Sequence, residues 1–256
     1  MIDNVPKIAV MGGGSWATAI AKIILRNVPQ ITWYMRRQEQ IDEFKRIAHN
    51  PSYLSSVTFD IDRISFTNKI NTAVANNDIL IFATPSPFFK SHMKNLRRRL
   101  DSKIIVSAIK GIVPDENVVI SEYFNKFYNV PYDSICALSG PCHAEEVALE
   151  RTSYLTIACP DREIARLVAS LVNTDFVKTS ISDDVYGVEY SSVMKNIYAI
   201  AAGICHGLKY GDNFQAVLVS NAIQEMNKFC NAVHPFHRNI QESVYLGDRS
   251  EERRVG

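Results

Sequence analysis

Two stretches of this sequence carry residue types and spacings that do chemistry. The first is Gly12-Gly13-Gly14-Ser15-Trp16-Ala17, which reads G-x-G-x-x-A directly after the apolar run from Lys7 to Met11. In such a pattern Gly12 permits a tight turn and Gly14 lets a pyrophosphate approach the backbone. Ala17 is small enough for close helix-on-strand packing, and the free N–H groups of the helix that follows face the phosphates. The second is Lys195, in Val193-Met194-Lys195-Asn196, the only formally charged side chain between Tyr190 and Leu208. An ammonium in such apolar surroundings must line a cavity, pair with a carboxylate or lose its proton more readily than usual; otherwise it snorkels to the surface. The first three are what a general acid/base lysine needs.

Three further positions belong with these. About 20 residues after the glycines a carboxylate would bind the ribose 2′-hydroxyl of NAD, but the sequence there is Tyr34-Met35-Arg36-Arg37. Two guanidiniums suit a 2′-phosphate, so the expected cofactor is NADP or NAD with NADP(H) favoured; the alternative is a solvated arginine pair at a strand end. Lys110-Gly111 follows an apolar run and places an ammonium at a cleft mouth, unless it is an ordinary surface lysine. Ser139-Gly140-Pro141-Cys142-His143-Ala144 reads as a strand end running into a helix that starts at Gly140-Pro141, with Glu145 and Glu146 in its first turn. His143 and His206 lack a serine or cysteine at nucleophile-elbow spacing. The five cysteines form no C-x-x-C pair and no zinc-ligand spacing, so no metal is expected and the thiols read as buried in a reducing compartment.

These residues need elements to position them. Short β-branched runs alternate with helical patterns from Lys7 to about Ile181. The expected strands are Lys7 to Met11, Ile31 to Met35, Asp78 to Ala83, Lys103 to Ile109, Ser134 to Leu138, Tyr154 to Cys159 and Phe176 to Ser180. Several are continuously apolar, as strands covered by helices on both faces are. The expectation is an α/β protein with an N-terminal Rossmann-like, doubly wound and mainly parallel sheet, followed by an all-helical C-terminal domain. Helices are expected from about Asp184 to Leu208 and from about Asp212 to Ala232. The first, apolar or small nearly all round, should be buried. The domain limits read as 1–181 and 182–248.

Composition sets the outer bounds. The 256 residues carry 28 Lys+Arg against 27 Asp+Glu, a net charge of +1, which argues against a general nucleic-acid binder. No apolar run approaches the roughly 18 residues that span a bilayer, and the N-terminus lacks a signal-peptide pattern. A cytoplasmic protein acting on a small molecule is expected, with assembly as a homodimer left open.

Several motifs coincide with one family. Gly-Gly-Gly-Ser-Trp-Ala-Thr-Ala, Asn50-Pro51-Ser52-Tyr53-Leu54, Ala83-Thr84-Pro85-Ser86, Lys110-Gly111-Ile112, Leu138-Ser139-Gly140-Pro141, Glu145-Glu146-Val147-Ala148, Met194-Lys195-Asn196, Gly211-Asp212-Asn213 and Gly247-Asp248 occur in this order. Together they resemble bacterial-type NAD(P)-dependent glycerol-3-phosphate dehydrogenase over nearly the whole chain up to Asp248. The resemblance implies interconversion of dihydroxyacetone phosphate and sn-glycerol 3-phosphate, feeding glycerophospholipid synthesis. It places Ser15, Trp16, Arg36, Arg37, Lys110 and Ala144 with Gly12 and Gly14 at the nucleotide. It places Lys110, Gly140, Cys142, Lys195 and Asp248 at the substrate, with Lys195 as the proton-transfer residue.

Two departures from the family stand out. Cys142 replaces what is more often a hydroxyl or another small residue. The family continues past Gly-Asp with further helices and a Ser-Arg-Asn segment, whereas residues 249–256 resemble the translation of a sequencing adapter. The expectation is therefore a shortened chain with a non-native tail, whose activity is impaired by loss of that arginine. The competing readings are a nucleotide-binding module without turnover and a related two-domain hydroxyacid dehydrogenase.

Overall fold

The computed structural model describes residues 6–238 and 243–246 of the chain. An eight-stranded sheet forms the centre. Its first six strands in sheet order from one edge are β3 (Ile64–Thr67), β2 (Ile31–Tyr34), β1 (Ile8–Met11), β4 (Ile79–Phe82), β5 (Ile104–Ser107) and β8 (Ile135–Ser139), all parallel. Beyond β8, β9 (Ser153–Ala158) joins antiparallel, and β10 (Val177–Ser182) closes the order parallel to β9. The reversal of winding falls between β1 and β4, and that crevice, at the carboxyl ends of the strands, is where ligands of doubly wound sheets bind.

The apolar runs are buried because both faces are covered. Ile8, Val10, Ile79, Ile81 and Val106 pack on one side with α1 (Ser15–Asn27), α2 (Gln38–Ile47) and α7 (Arg162–Val172). Ala9, Met11, Leu80, Phe82 and Ile105 pack on the other with α3 (Ile70–Ala75), α4 (Ser86–Met93) and α5 (Ile120–Tyr128). The alternation of neighbouring residues between the two clusters is the period-two geometry of a strand.

All seven strands expected from the sequence form within two residues of their expected ends. Three strands were not expected: β3, and the hairpin of β6 (Ile112–Val113) with β7 (Val118–Val119). In β3, Ser65 is exposed and only Ile64 is buried, so this edge strand has no continuous apolar run to betray it. Residues 140–143 differ from expectation as well. They form a turn, with the Cys142 amide donating to the Gly140 carbonyl at 2.9 Å, and α6 (Ala144–Ala148) starts only at Ala144, keeping Glu145 and Glu146 in its first turn. Gly140 is pressed against β9, where a β-carbon would sit 2.2 Å from the Tyr154 carbonyl oxygen.

Two long helices follow the sheet, α8 (Val185–Gly207) and α9 (Gly211–Val233). Val185, Val188 and Met194 of α8 share a third core with Ala137 and Ala158 of the sheet and with Met226 and Cys230 of α9. The expectation that α8 is buried throughout is corrected by its second half. Ile197, Ile200 and Ile204 are 58–66% exposed, whereas Val185, Val188 and Met194 earlier in the same helix are buried against the sheet and α9. The short α10 (Ser243–Leu246) packs on α8 and β9.

The entrance to α8 is locked by a buried ion pair. Asp184 caps the helix by accepting from the Gly187 amide at 3.0 Å, and it also accepts from Arg238 Nε at 2.5 Å and from the Tyr245 hydroxyl at 2.8 Å. The Asp184 and Arg238 side chains are 2% and 1% exposed.

Candidate functional site

The glycine turn is held from behind by side chains distant in sequence. Gly12 sits at φ +144°, a conformation L side chains rarely adopt, and a β-carbon there would lie 2.5 Å from the Ala83 carbonyl oxygen of the strand opposite. Its own carbonyl accepts from the buried Trp33 indole at 2.7 Å. The Gly13 carbonyl accepts from Gln40 Nε2 at 2.8 Å and from Asn50 Nδ2 at 3.1 Å, and Asn50 also donates to Thr18 Oγ1 at 2.8 Å. Gly14 caps α1 without a side chain, and nothing lies within 4 Å of where its β-carbon would be. That open space, at the N-terminus of a 13-residue helix, is what an incoming pyrophosphate requires. Ala17 is fully buried.

A cleft of about 450 Å³ opens in front of this turn. Gly14, Ser15 and Trp16 line it from α1, Lys110 from the segment after β5, and Cys142 and Ala144 from the segment after β8. These six expected site residues therefore come together at the carboxyl ends of β1, β5 and β8. The Trp16 indole N–H is buried without a hydrogen-bond partner, a donor that a bound polar group would satisfy. Thr84 and Tyr53 line the same cleft without having been singled out as ligands in the sequence, although both lie in motifs that were. Asn50 opens one of those motifs, yet its part in supporting the turn, like that of Gln40, exists only through a contact 37 and 27 residues away respectively.

Of the remaining expected site residues, none among the described residues lines this cleft; Cys142, which does, is described with its neighbour Gly140. Arg36 and Arg37 are exposed just past the end of β2, Arg37 being the residue that precedes α2. Gly140 is buried, and its lack of a side chain is explained by the β9 carbonyl. Cys142 is 5% exposed and its thiol donates to that same carbonyl, Tyr154 O, at 3.1 Å. Lys195 is buried in α8, 8% exposed. Asp248 and residues 249–256 lie outside the described residues.

Electrostatics single out Glu189, which the sequence reading passed over. This α8 carboxylate is wholly buried and accepts from the Ser121 amide at 3.1 Å and from the Ser121 hydroxyl, at the N-terminal turn of α5. Burial pushes its carboxyl up to about 7, against the pull of the Ser121 hydrogen bonds. Among the described residues no cluster of three or more His, Cys, Asp or Glu could hold a metal, and no helix is long and apolar enough to cross a membrane.

A strand, a glycine turn and a helix set at the switch point of a doubly wound sheet, with a lysine-bearing cleft in front, define a dinucleotide-binding α/β protein with a helical extension. Comparison with known proteins narrows the class. The family described as NAD-dependent glycerol-3-phosphate dehydrogenase matches with its N-terminus over residues 7–165 and with its C-terminus over residues 184–250. The chain belongs to this family. Glycerol-3-phosphate dehydrogenases of the NAD(P)+ type from Lactobacillus delbrueckii and Lysinibacillus sphaericus are each 34% identical over 87% of this chain, covering 67% and 66% of their own lengths. The chain thus spans about two thirds of the length of the curated relatives it matches. The solved structure of Plasmodium falciparum glycerol-3-phosphate dehydrogenase superposes with a TM-score of 0.91 at 26% identity, over 99% of this chain and 74% of that one. The enzyme from Coxiella burnetii shares the fold, with a TM-score of 0.84 at 24% identity over 97% of this chain and 77% of that one.

Proposed function

We propose that the protein to which this chain belongs interconverts dihydroxyacetone phosphate and sn-glycerol 3-phosphate with NAD(P)H, in service of glycerophospholipid synthesis. The observation that carries the proposal is the meeting of the glycine turn, Lys110 and Cys142 in one cleft, in a chain whose relatives bear that enzyme's name. Bound there, the reduced nicotinamide supplies the hydride.

The chain's own residues do the rest. Gly12 and Gly14 shape the turn that receives the pyrophosphate, and Ser15, Trp16 and Ala144 bound the nucleotide. Arg36 and Arg37 face a ribose 2′-phosphate, which favours NADP(H) over NAD(H). Lys110 stabilises negative charge on the substrate carbonyl or phosphate. Lys195, as ammonium, protonates the alkoxide oxygen, and its burial in α8 suits a proton donor shielded from water. Gly140, Cys142 and Asp248 complete the substrate contacts. The division into a nucleotide domain to residue 181 and a substrate domain over 182–248 belongs to the same proposal. So does a cytoplasmic setting, which the five free thiols support.

The test is loss of NADPH absorbance when dihydroxyacetone phosphate is added to the 256-residue chain, with Lys195→Ala as control. Turnover abolished by the substitution supports the reading. NADPH binding without oxidation points instead to a binding module, and turnover of a 3-hydroxy acid to the related dehydrogenase class. Sedimentation of the same preparation checks for a homodimer.

A further inference from the structure

β8 and β9 run antiparallel, with Ala137 opposite Ala158 and Leu138 opposite Ile157. One step further along, the same register sets Cys136 of β8 opposite Cys159, the residue that follows β9. Directly opposed residues of such a pair share one face of the sheet, and both cysteines belong to the core that packs with α1 and α7. The Cys159 amide donates to the Ser182 carbonyl of β10 at 3.0 Å, so its backbone groups turn away from β8. Cys136 and Cys159 are therefore a non-hydrogen-bonded pair, the closer of the two kinds, with α-carbons about 4.5 Å apart. That separation falls within the range of about 4.4–6.8 Å that a disulfide spans.

The two sulfurs are hydrogen-bonded to each other but are not equivalent. The Cys159 thiol also donates to the Asp133 carbonyl at 3.3 Å. The bond from Cys136 holds the Cys159 thiol below its ordinary range, and the same bond, with burial, holds Cys136 well above it. Cys159 is thus the sulfur that becomes a thiolate and attacks, with Cys136 beside it to resolve the product. Neither side chain is exposed, so a bulky oxidant does not reach them. Asp133, whose carbonyl touches Cys159, is exposed, and Pro160 and Asp161 are half-buried, so the pair lies just beneath the surface where a small neutral molecule enters by a local opening.

We propose that Cys136 and Cys159 are a redox dithiol, closed by hydrogen peroxide to a cross-strand disulfide within the folded sheet. The Cys159 thiolate attacks one peroxide oxygen, the O–O bond breaks, hydroxide leaves and Cys159 becomes a sulfenic acid. Cys136 then gives up its proton, and its sulfur displaces the sulfenic hydroxyl as water while the S–S bond forms. Two thiols and one peroxide yield one disulfide and two waters. In a reducing compartment the bond is transient, since thiol exchange reopens it. The pair stands toward the amino end of β8, away from the cleft, so the proposal does not depend on the dinucleotide reading.

The test treats the folded, unsubstituted chain with hydrogen peroxide, alkylates the remaining thiols and digests without reductant, using trypsin with chymotrypsin so that cleavage after Leu138 parts Cys136 from Cys142. Mass spectrometry should find the Cys136 peptide joined to the Cys159 peptide, two hydrogens lighter than their sum, and separated again by dithiothreitol. Recovery of both peptides alkylated, or oxidised singly, overturns the proposal. So does joining to Cys142, Cys205 or Cys230 instead, or joining that occurs only after urea has unfolded the chain. The order of attack is read with dimedone, which traps sulfenic acids. Cys159 in a Cys136→Ser chain should label about tenfold faster than Cys136 in a Cys159→Ser chain. Equal rates overturn the assignment of Cys159 as the attacking sulfur. Should the serine variants not fold, the joined peptides of the unsubstituted chain decide the matter alone.

Discussion

The indole N–H of Trp33 donates to the carbonyl oxygen of Gly12 across 2.7 Å of fully buried space, 21 residues from its acceptor in sequence. One strand thereby braces the turn that begins at the end of its neighbour. The same indole packs against Phe44, Phe59 and Phe66 with centroids 5.2, 5.4 and 6.0 Å away, so its orientation is set by the core. Replacing Trp33 by Phe keeps an aromatic in that cluster and strands the carbonyl. The expected result is a loss of about 1–3 kcal/mol in denaturant unfolding together with weaker NADPH binding. Unchanged affinity would show that the turn holds its shape without the indole.

Two glycines of one turn should respond oppositely to the same methyl group. Gly12→Ala meets the Ala83 carbonyl at 2.5 Å in a strained backbone region, and should cost about 1–3 kcal/mol of stability. Gly14→Ala meets no atom within 4 Å at an ordinary φ of −88°, so stability should hold to within about 0.5 kcal/mol. The methyl would nevertheless occupy the space meant for pyrophosphate, so NADPH binding should fall. Paired melting and binding curves separate the two effects.

Glu189 should make the fold less stable as pH rises. Its carboxyl is held up at about 7 in the folded chain against an ordinary 4.5, so the fold favours the protonated form. The full benefit is present below the unfolded value and is lost as pH climbs through the folded one. At about 1.4 kcal/mol per pH unit, the loss across that window is roughly 3 kcal/mol. Glu189→Gln keeps an acceptor for the Ser121 amide and removes the titration. Urea midpoints should therefore decline between pH 4.5 and 7 in the unsubstituted chain and run flatter in the variant, which should be the more stable protein on the alkaline side.

Arg238→Ala should be among the costliest single changes in the helical part. It leaves the carboxylate of Asp184, 2% exposed, with the Gly187 amide and the Tyr245 hydroxyl but no countercharge. Removing one partner of a buried pair costs about 3–5 kcal/mol. Denaturant unfolding monitored separately for the helical part and the sheet should show the loss first at α8. A change under about 1 kcal/mol would mean that water reaches Asp184 once the arginine is gone.

Much of the sheet was legible in the sequence because its strands are buried on both faces and therefore read as unbroken apolar runs, as Ile79-Leu80-Ile81-Phe82 does. The edge strand β3 was not, since one open side lets Ser65 and Thr67 break the run. The same logic explains α8. Its apolar stripe predicts a helix, and the helix forms, yet burial depends on what lies beside it. The stripe is covered as far as Met194 and open at Ile197, Ile200 and Ile204.

By itself, the sequence determined the strand, glycine turn and helix at residues 8–27, the parallel α/β class, and the residue types offered to a ligand, because each depends on local periodicity and backbone freedom. Only the tertiary structure decided that Lys110, Cys142 and Ala144 share a cleft with Gly14, and that Gly140 is small for the sake of a strand carbonyl. It alone revealed Trp33, Gln40 and Asn50 as the supports of the glycine turn, and Glu189 as a titratable group in unusual surroundings. Hydrogen bonds and desolvation act over a few ångströms in space, and residues as far apart along the chain as Trp33 and Gly12, or Glu189 and Ser121, reach that range only when the sheet assembles.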